Sequence, residues 1–550
     1  MNIPQSAHTR LSPSRIRSAL ICGLGLALPA SVALAQTSGT WTSTTGGNWA
    51  DIVNWNSGAG PVATGGSTSA NVTATFSASG TQTVNLDGPQ TVQTLAFSTG
   101  TYTLSSTNGS VLTLAGTTVP SISGTATISA TLDGSQGFTY ASGNRTLTLS
   151  GNNIYTGVTT LTNGNLTARS DSAFGAAGAG NGLIVSQASG QFPQLHLTNN
   201  ITTSEDITLR MNFYNIANNG SIVGGNLLYN DNSNTTLNGS LVLDRYVGSN
   251  ANVVHLMGIQ ASGGTLTING AVSGAATGGQ ASGTYVDPTR LQFRATTATA
   301  NVNVTGVISD GTLTTGGLSI YTAADALGIV RLSGDNTYTG STVHQKGTLL
   351  INNTTGSGTG AGAISVASTA VFGGTGFVKP AGANGITFAS GSIVSPGDLT
   401  SGGSAIAAGK TLTFDLSSTT GTALFDTGST IAINLNAAAI LPADVSEHLA
   451  FIGLTTGVSQ VTFNNNIVNF SITGGLLSNG VYTLASFSAD NAFSGQWVLG
   501  SGLEAYNAQL IQTANSIQLS ISAIPEPATT AALAGLIAIG AVMVCKRRRI

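Results

Sequence analysis

The chain has 550 residues, of which only 7% are charged, and it carries 73 glycines and a formal net charge of −3. Charge this sparse departs from ordinary globular composition, while the positive mean hydropathy argues against disorder. No basic stripe remains between the two ends to neutralise phosphates, which excludes nucleic acid as a partner. Cys22 and Cys545 are the only cysteines and both lie in terminal apolar segments, so the body has neither a disulfide framework nor a thiolate metal site.

At the N-terminus, Arg10, Arg15 and Arg17 precede the apolar run Ala19 to Leu28, Pro29 breaks it, and Ala33-Leu34-Ala35 follows. Positive charge, an apolar stretch and small residues in that order describe a secretory signal over residues 1–35. Ala33 and Ala35 fit the pocket of signal peptidase, and the mature chain is expected to begin at Gln36. An uncleaved anchor is the weaker reading, because the run is short for a membrane span.

From Gln36 onward, apolar residues alternate over short stretches such as Val84-Asn85-Leu86, Leu95-Ala96-Phe97, Leu112-Thr113-Leu114 and Leu147-Thr148-Leu149. Turn pairs, Asp87-Gly88, Asn108-Gly109 and Asp133-Gly134, separate them. Period-two alternation between turns predicts many short strands, and so long a run of them favours a stacked solenoid over a sandwich. Trp41, Trp49 and Trp55 cluster near the start of the mature chain. They suit a cap that closes the first coil better than exposed sugar-stacking platforms.

Two stretches repeat. Leu149-Ser150-Gly151-Asn152-Asn153-Ile154-Tyr155-Thr156-Gly157 matches Leu332-Ser333-Gly334-Asp335-Asn336-Thr337-Tyr338-Thr339-Gly340, and Gly164-Asn165-Leu166 continues the match to Gly347-Thr348-Leu349. The polar residues predict a turn and the tyrosine a core-facing anchor. These segments, near 147–171 and 330–354, resemble the autotransporter-associated β-strand repeat. The resemblance implies a right-handed parallel β-helix, here without the membrane barrel of a true autotransporter. We assign 36–400 to this solenoid, with a Gly- and Ser-rich stretch over 356–400, and 401–523 to a C-terminal β region.

Ile524-Pro525-Glu526-Pro527 precedes an apolar run from Ala528 to Val544, and then Lys546, Arg547, Arg548 and Arg549. A run of that length predicts a single transmembrane helix with its basic flank held in the cytoplasm as a stop-transfer. The three elements over 524–550 resemble the PEP-CTERM sorting signal. That resemblance implies an exosortase-type processing enzyme as partner, a Gram-negative host, transient anchoring in the inner membrane, and a cell-surface or extracellular destination beside exopolysaccharide.

Chemistry is sparse. His-Glu-x-x-His and Gly-x-Ser-x-Gly are both absent, and Gly409-Lys410-Thr411 lacks the first glycine of a phosphate loop. We assign no catalytic residue, no metal site and no cofactor. A secreted polysaccharide lyase or hydrolase is the enzyme alternative. Its best candidate is the pair Glu205-Asp206 with His196 nearby, although strand alternation sends neighbouring carboxylates to opposite faces. A further alternative is ice or surface binding by the Thr-x-Thr stretches at 81–83, 101–103, 125–127, 146–148 and 411–413. Their unequal sequence intervals favour ordinary strand threonine instead. The expected function is therefore a non-catalytic, exported structural or adhesin-like protein.

Overall fold

The computed structural model describes residues 38–56, 72–188, 190–211, 225–245, 256–277, 289–314, 316–398, 411–438 and 447–523. Almost every ordered element in them is a β-strand; some, such as Leu256–Ala261 and Thr348–Ile351, are buried almost throughout, and burial alternates along many others. Val158–Ala168, for example, turns Thr159, Leu161, Leu166 and Ala168 inward. Strands as short as three or four residues are stable here because each continues a ladder laid down by the coil before it.

The ladders are parallel and run coil upon coil. One face starts at Gly39–Trp41 and passes through Thr73–Phe76 to the first half of Thr94–Ser105. Several strands bend mid-way: Thr94–Ser105 and Phe138–Leu149 shift register between Phe97 and Tyr102 and between Tyr140 and Leu147. Their second halves belong to a second face, which begins with Gly47–Asn48 and continues through Thr81–Asn85 to Thr101–Ser105. A third face is a small sheet of Gln90–Val92, Val111–Leu114 and Thr131–Asp133, followed farther along by an 11-stranded ladder from Thr202–Thr203 to Trp497–Leu499. Parallel all-β coils around a common core define a β-solenoid.

The core is a column of side chains matched from coil to coil. Phe388 stacks on Phe425 at 4.6 Å between ring centroids, and Phe414, Phe451 and Phe487 follow one another at 5.1 Å. These spacings equal the inter-strand distance, so identical residues in register pack face to face. At the start, Trp41, Trp49 and Trp55 are buried and meet edge to face at 5.1 Å. Trp41 donates its indole N–H to Gln82 Oε1 at 3.0 Å and Trp55 donates to the Trp49 carbonyl at 2.8 Å. The tryptophans therefore close the first coil with their polar tips satisfied. The parallel ladders continue beyond residue 411, and the pattern changes only at Ser516–Ala523, which pairs antiparallel with both Gly480–Phe487 and Tyr506–Gln512.

The expected transmembrane helix, and with it the inner-membrane stage, is corrected. Among the described residues no helix is long and apolar enough to cross a membrane; the one helical element is the 3-10 turn Ile52–Asn54. The described chain places apolar residues at every second position, which makes half-buried strands rather than a continuous apolar helix. The segment Ala528 to Val544 lies outside the described residues, as do Ala33, Ala35, Pro525, Glu526, Pro527, Lys546, Arg547, Arg548 and Arg549.

Candidate functional site

The acidic pair separates as alternation requires. Asp206 faces outward, and its carboxylate accepts from the Ser240 backbone N–H at 2.8 Å and the Ser240 hydroxyl at 2.7 Å, tying one coil to the next. Glu205 turns inward with 2% of its surface exposed. It lines a cleft of about 380 Å³ together with Asn152, Asp171, Ser172, Thr202 and Ser204. Its Oε2 has no hydrogen-bond partner. Burial, and secondarily the charge of Asp206, pushes the Glu205 carboxyl up to about 7. His196 joins neither acid. Its Nδ1 lies 2.7 Å from Asp231, and its ring stacks on Tyr229 at 4.8 Å with the planes 8° apart.

His196 belongs instead to an outward column on the second face. Thr83 neighbours Thr103, which neighbours Thr127; Thr148 and Thr167 follow. Thr167 then pairs with His196, His196 with Tyr229, Tyr229 with Gln260, and Gln260 with Arg294. The column changes character along its length. Its first five members are uniform β-branched hydroxyls, and its last four carry rings, an amide and a guanidinium.

In the second half the polar tips are held by neighbours. Gln194 donates to the Tyr229 hydroxyl at 3.3 Å, and Asp231 holds His196. Arg294 Nε donates to both carboxylate oxygens of Asp325 at 3.0 Å. The Arg294 hydrogen bond lowers the Asp325 pKa, and the Asp325 hydrogen bond raises that of Arg294. The His196 and Tyr229 rings stack on each other, so each covers one face of the other and their edges and polar tips point along the column's outer side.

Sequence reasoning passed over Tyr229, Asp231, Gln260 and Arg294. The local signal was alternation in Leu228-Tyr229-Asn230, Ile259-Gln260-Ala261 and Phe293-Arg294-Ala295, but nothing in it says that these strands are neighbours. Two further buried titratable groups also escaped. Glu447 is fully buried, accepts from the Asn434 backbone and side-chain N–H groups at 3.0 Å each, and is pushed up to about 7 chiefly by burial. His344 is likewise buried. Its Nε2 sits 2.8 Å from the Val371 carbonyl, which can only accept, so Nε2 carries the proton and Nδ1 accepts from Thr322 Oγ1 at 2.8 Å. Burial pushes this imidazole down to about 4. No cluster of three or more metal-ligating side chains occurs among the described residues.

Compared with known families and curated proteins, the chain matches no family model and no curated protein.

Proposed function

We propose that this solenoid is an exported, non-catalytic structural or adhesin-like protein that holds polysaccharide along the column His196, Tyr229, Gln260 and Arg294. The observation that carries the reading is the register of that column, which aligns imidazole, phenol, amide and guanidinium tips on successive strands. Planar donors and acceptors repeated at about 4.8 Å along a rigid axis suit the hydroxyls of an extended sugar chain, which repeat as well. Each contact is weak and a row of them is not, because the scaffold is ordered before the ligand arrives.

A glycan array with the secreted protein tests this. Wild type should retain one or more extended polysaccharides, and Tyr229→Ala with Gln260→Ala should lose them. Equal retention by the variant would end the proposal. The second reading, a polysaccharide hydrolase or lyase, is favoured by one observation: Glu205 lines a cleft with its Oε2 unpartnered and its pKa near neutrality. Turnover of an acidic polysaccharide that Glu205→Gln abolishes would establish that reading in place of the first.

A further inference from the structure

The first half of the outward column forms a plane of threonines two rows wide. One row is Thr83, Thr103, Thr127, Thr148 and Thr167. The other lies two residues upstream in the same strands. It contains Thr81 paired with Thr101, Thr125 in the strand Ser121–Ile128, and Thr146 paired with Asn165. Inward-facing Gln82, Tyr102, Ala126, Leu147 and Leu166 alternate with these residues and are buried. By β geometry the plane repeats at about 4.8 Å across strands and about 6.7 Å along them.

Three properties mark this plane off from the rest of the surface. First, its threonine hydroxyls make no hydrogen bond within the described protein, whereas other hydroxyls in the same coils do: Thr94 pairs with Ser121 at 3.3 Å and Ser98 donates to the Phe76 carbonyl at 3.2 Å. Second, its two rows carry no charge and no ring, in contrast to His196, Tyr229 and Arg294 farther along. Third, its footing is stiff. Phe76 stacks on Phe97 at 4.8 Å beneath it, and the Tyr102 hydroxyl donates to the Ala78 carbonyl at 2.7 Å. Threonine also has restricted χ1 freedom, so hydroxyl and methyl positions repeat with the backbone.

We propose that this plane binds ice. A flexible soluble ligand gains little from identical small hydroxyls and methyls, because nothing in them selects one orientation. A solid whose own oxygens repeat along two directions gains one contact per threonine without ordering cost on the protein side. Ice is such a solid. Each hydroxyl takes a place in its hydrogen-bonded lattice, and the methyls between them are covered by water already ordered over apolar surface. The absence of charge in the rows matters, since a hydrated ammonium or carboxylate holds water in an arrangement that ice does not share.

The test is partition of the purified secreted chain into a slowly grown ice fraction, together with thermal hysteresis. Wild type should enter the ice and show hysteresis, and Thr127→Lys, at the centre of the plane, should lose both. Thr208→Lys, which lies in a different column between Ile184 and Val242, should keep both. Circular dichroism and melting of each variant establish that the solenoid is intact, and Thr148→Lys replaces Thr127→Lys if the latter misfolds. Exclusion of wild type from ice overturns the proposal, as does equal behaviour of Thr127→Lys and Thr208→Lys. Pelleting with crystalline cellulose in the absence of ice entry, abolished by Thr127→Lys, overturns it in favour of a solid polysaccharide.

Discussion

Tyr155 and Tyr338 hold the same buried position in two distant coils: the hydroxyl of each lies 2.6 Å from a threonine hydroxyl four residues on, Thr159 in one and Thr342 in the other. The surrounding contacts repeat too. Asn153 donates to the Ala173 carbonyl at 2.8 Å and accepts from Leu132 N–H, while Asn336 donates to the Gly358 carbonyl at 2.7 Å and accepts from Ile308 N–H. The asparagine thus staples three successive turns of chain, and the tyrosine fills the space behind it. Burial raises both phenol pKa values, so both rings stay neutral.

Removing either ring should therefore destabilise the solenoid similarly. Tyr155→Ala and Tyr338→Ala are each expected to lose roughly 3 kcal/mol, the usual scale for a large buried aromatic. Tyr→Phe at either site should lose about 1 kcal/mol, because it removes a buried hydroxyl–hydroxyl hydrogen bond. Urea denaturation of the four variants checks this, and unequal losses at the two sites would separate the repeats.

One glycine follows the tyrosine in each repeat, and the two match. Gly175 has φ +92° and Gly360 has φ +64°, and a Cβ at either would stand 2.3 Å from the carbonyl oxygen of Tyr155 or Tyr338. Gly175→Ala and Gly360→Ala should each lose about 2 kcal/mol or more through left-handed strain and backbone contact. Melting temperatures measured beside an exposed Gly109→Ala control read the difference directly, since nothing lies within 4 Å of a Cβ there. The control carries only the φ penalty.

Glu447 and His344 should give opposite pH signatures. The carboxyl of Glu447 is raised from 4.5 to about 7, so the native state holds a proton that the unfolded state has released. Its contribution is fully present below about pH 4.5 and is lost as pH rises through 7, on the order of 3 kcal/mol in all. Glu447→Gln should therefore melt higher than wild type at pH 8 and close to it at pH 5. A wild-type advantage at pH 8 would show that the carboxylate is satisfied in the folded chain.

For His344 the imidazole is lowered from 6.5 to about 4, so the unfolded state binds the extra proton. Stability from this group is complete above about pH 6.5 and falls as pH drops toward 4. Nitrogen NMR of the ring should show a neutral Nε2–H tautomer down to about pH 4. Titration near 6.5 would contradict its burial.

Secretion makes one prediction independent of the fold. The Ala33-Leu34-Ala35 pattern implies that exported protein begins at Gln36. N-terminal sequencing of secreted material settles it, and recovery of peptides containing Arg10 to Arg17 would refute the cleavage.

What the sequence determined on its own is local. Alternation and turn residues are imposed by the period of a strand, so the all-β body, the tryptophan cap and the two tyrosine anchors were legible in the sequence alone. The opposite facing of Glu205 and Asp206 followed from the same period. The apolar run near the C-terminus suggested a transmembrane helix from hydropathy alone, and the described residues contain no such helix. Register between coils was not legible, because the stretches joining successive strands differ in length and no sequence period survives them. For that reason the unequal intervals of the Thr-x-Thr segments at 81–83, 101–103, 125–127 and 146–148 concealed an aligned plane, to which 411–413, in another ladder with Thr413 buried, does not belong; His196, near Glu205 in sequence, pairs with Tyr229. Only the tertiary structure decides this. Parallel ladders are set by matching each inward side chain to the one beneath it, and corners of any length are tolerated so long as that match holds. The outward columns inherit their alignment from the core.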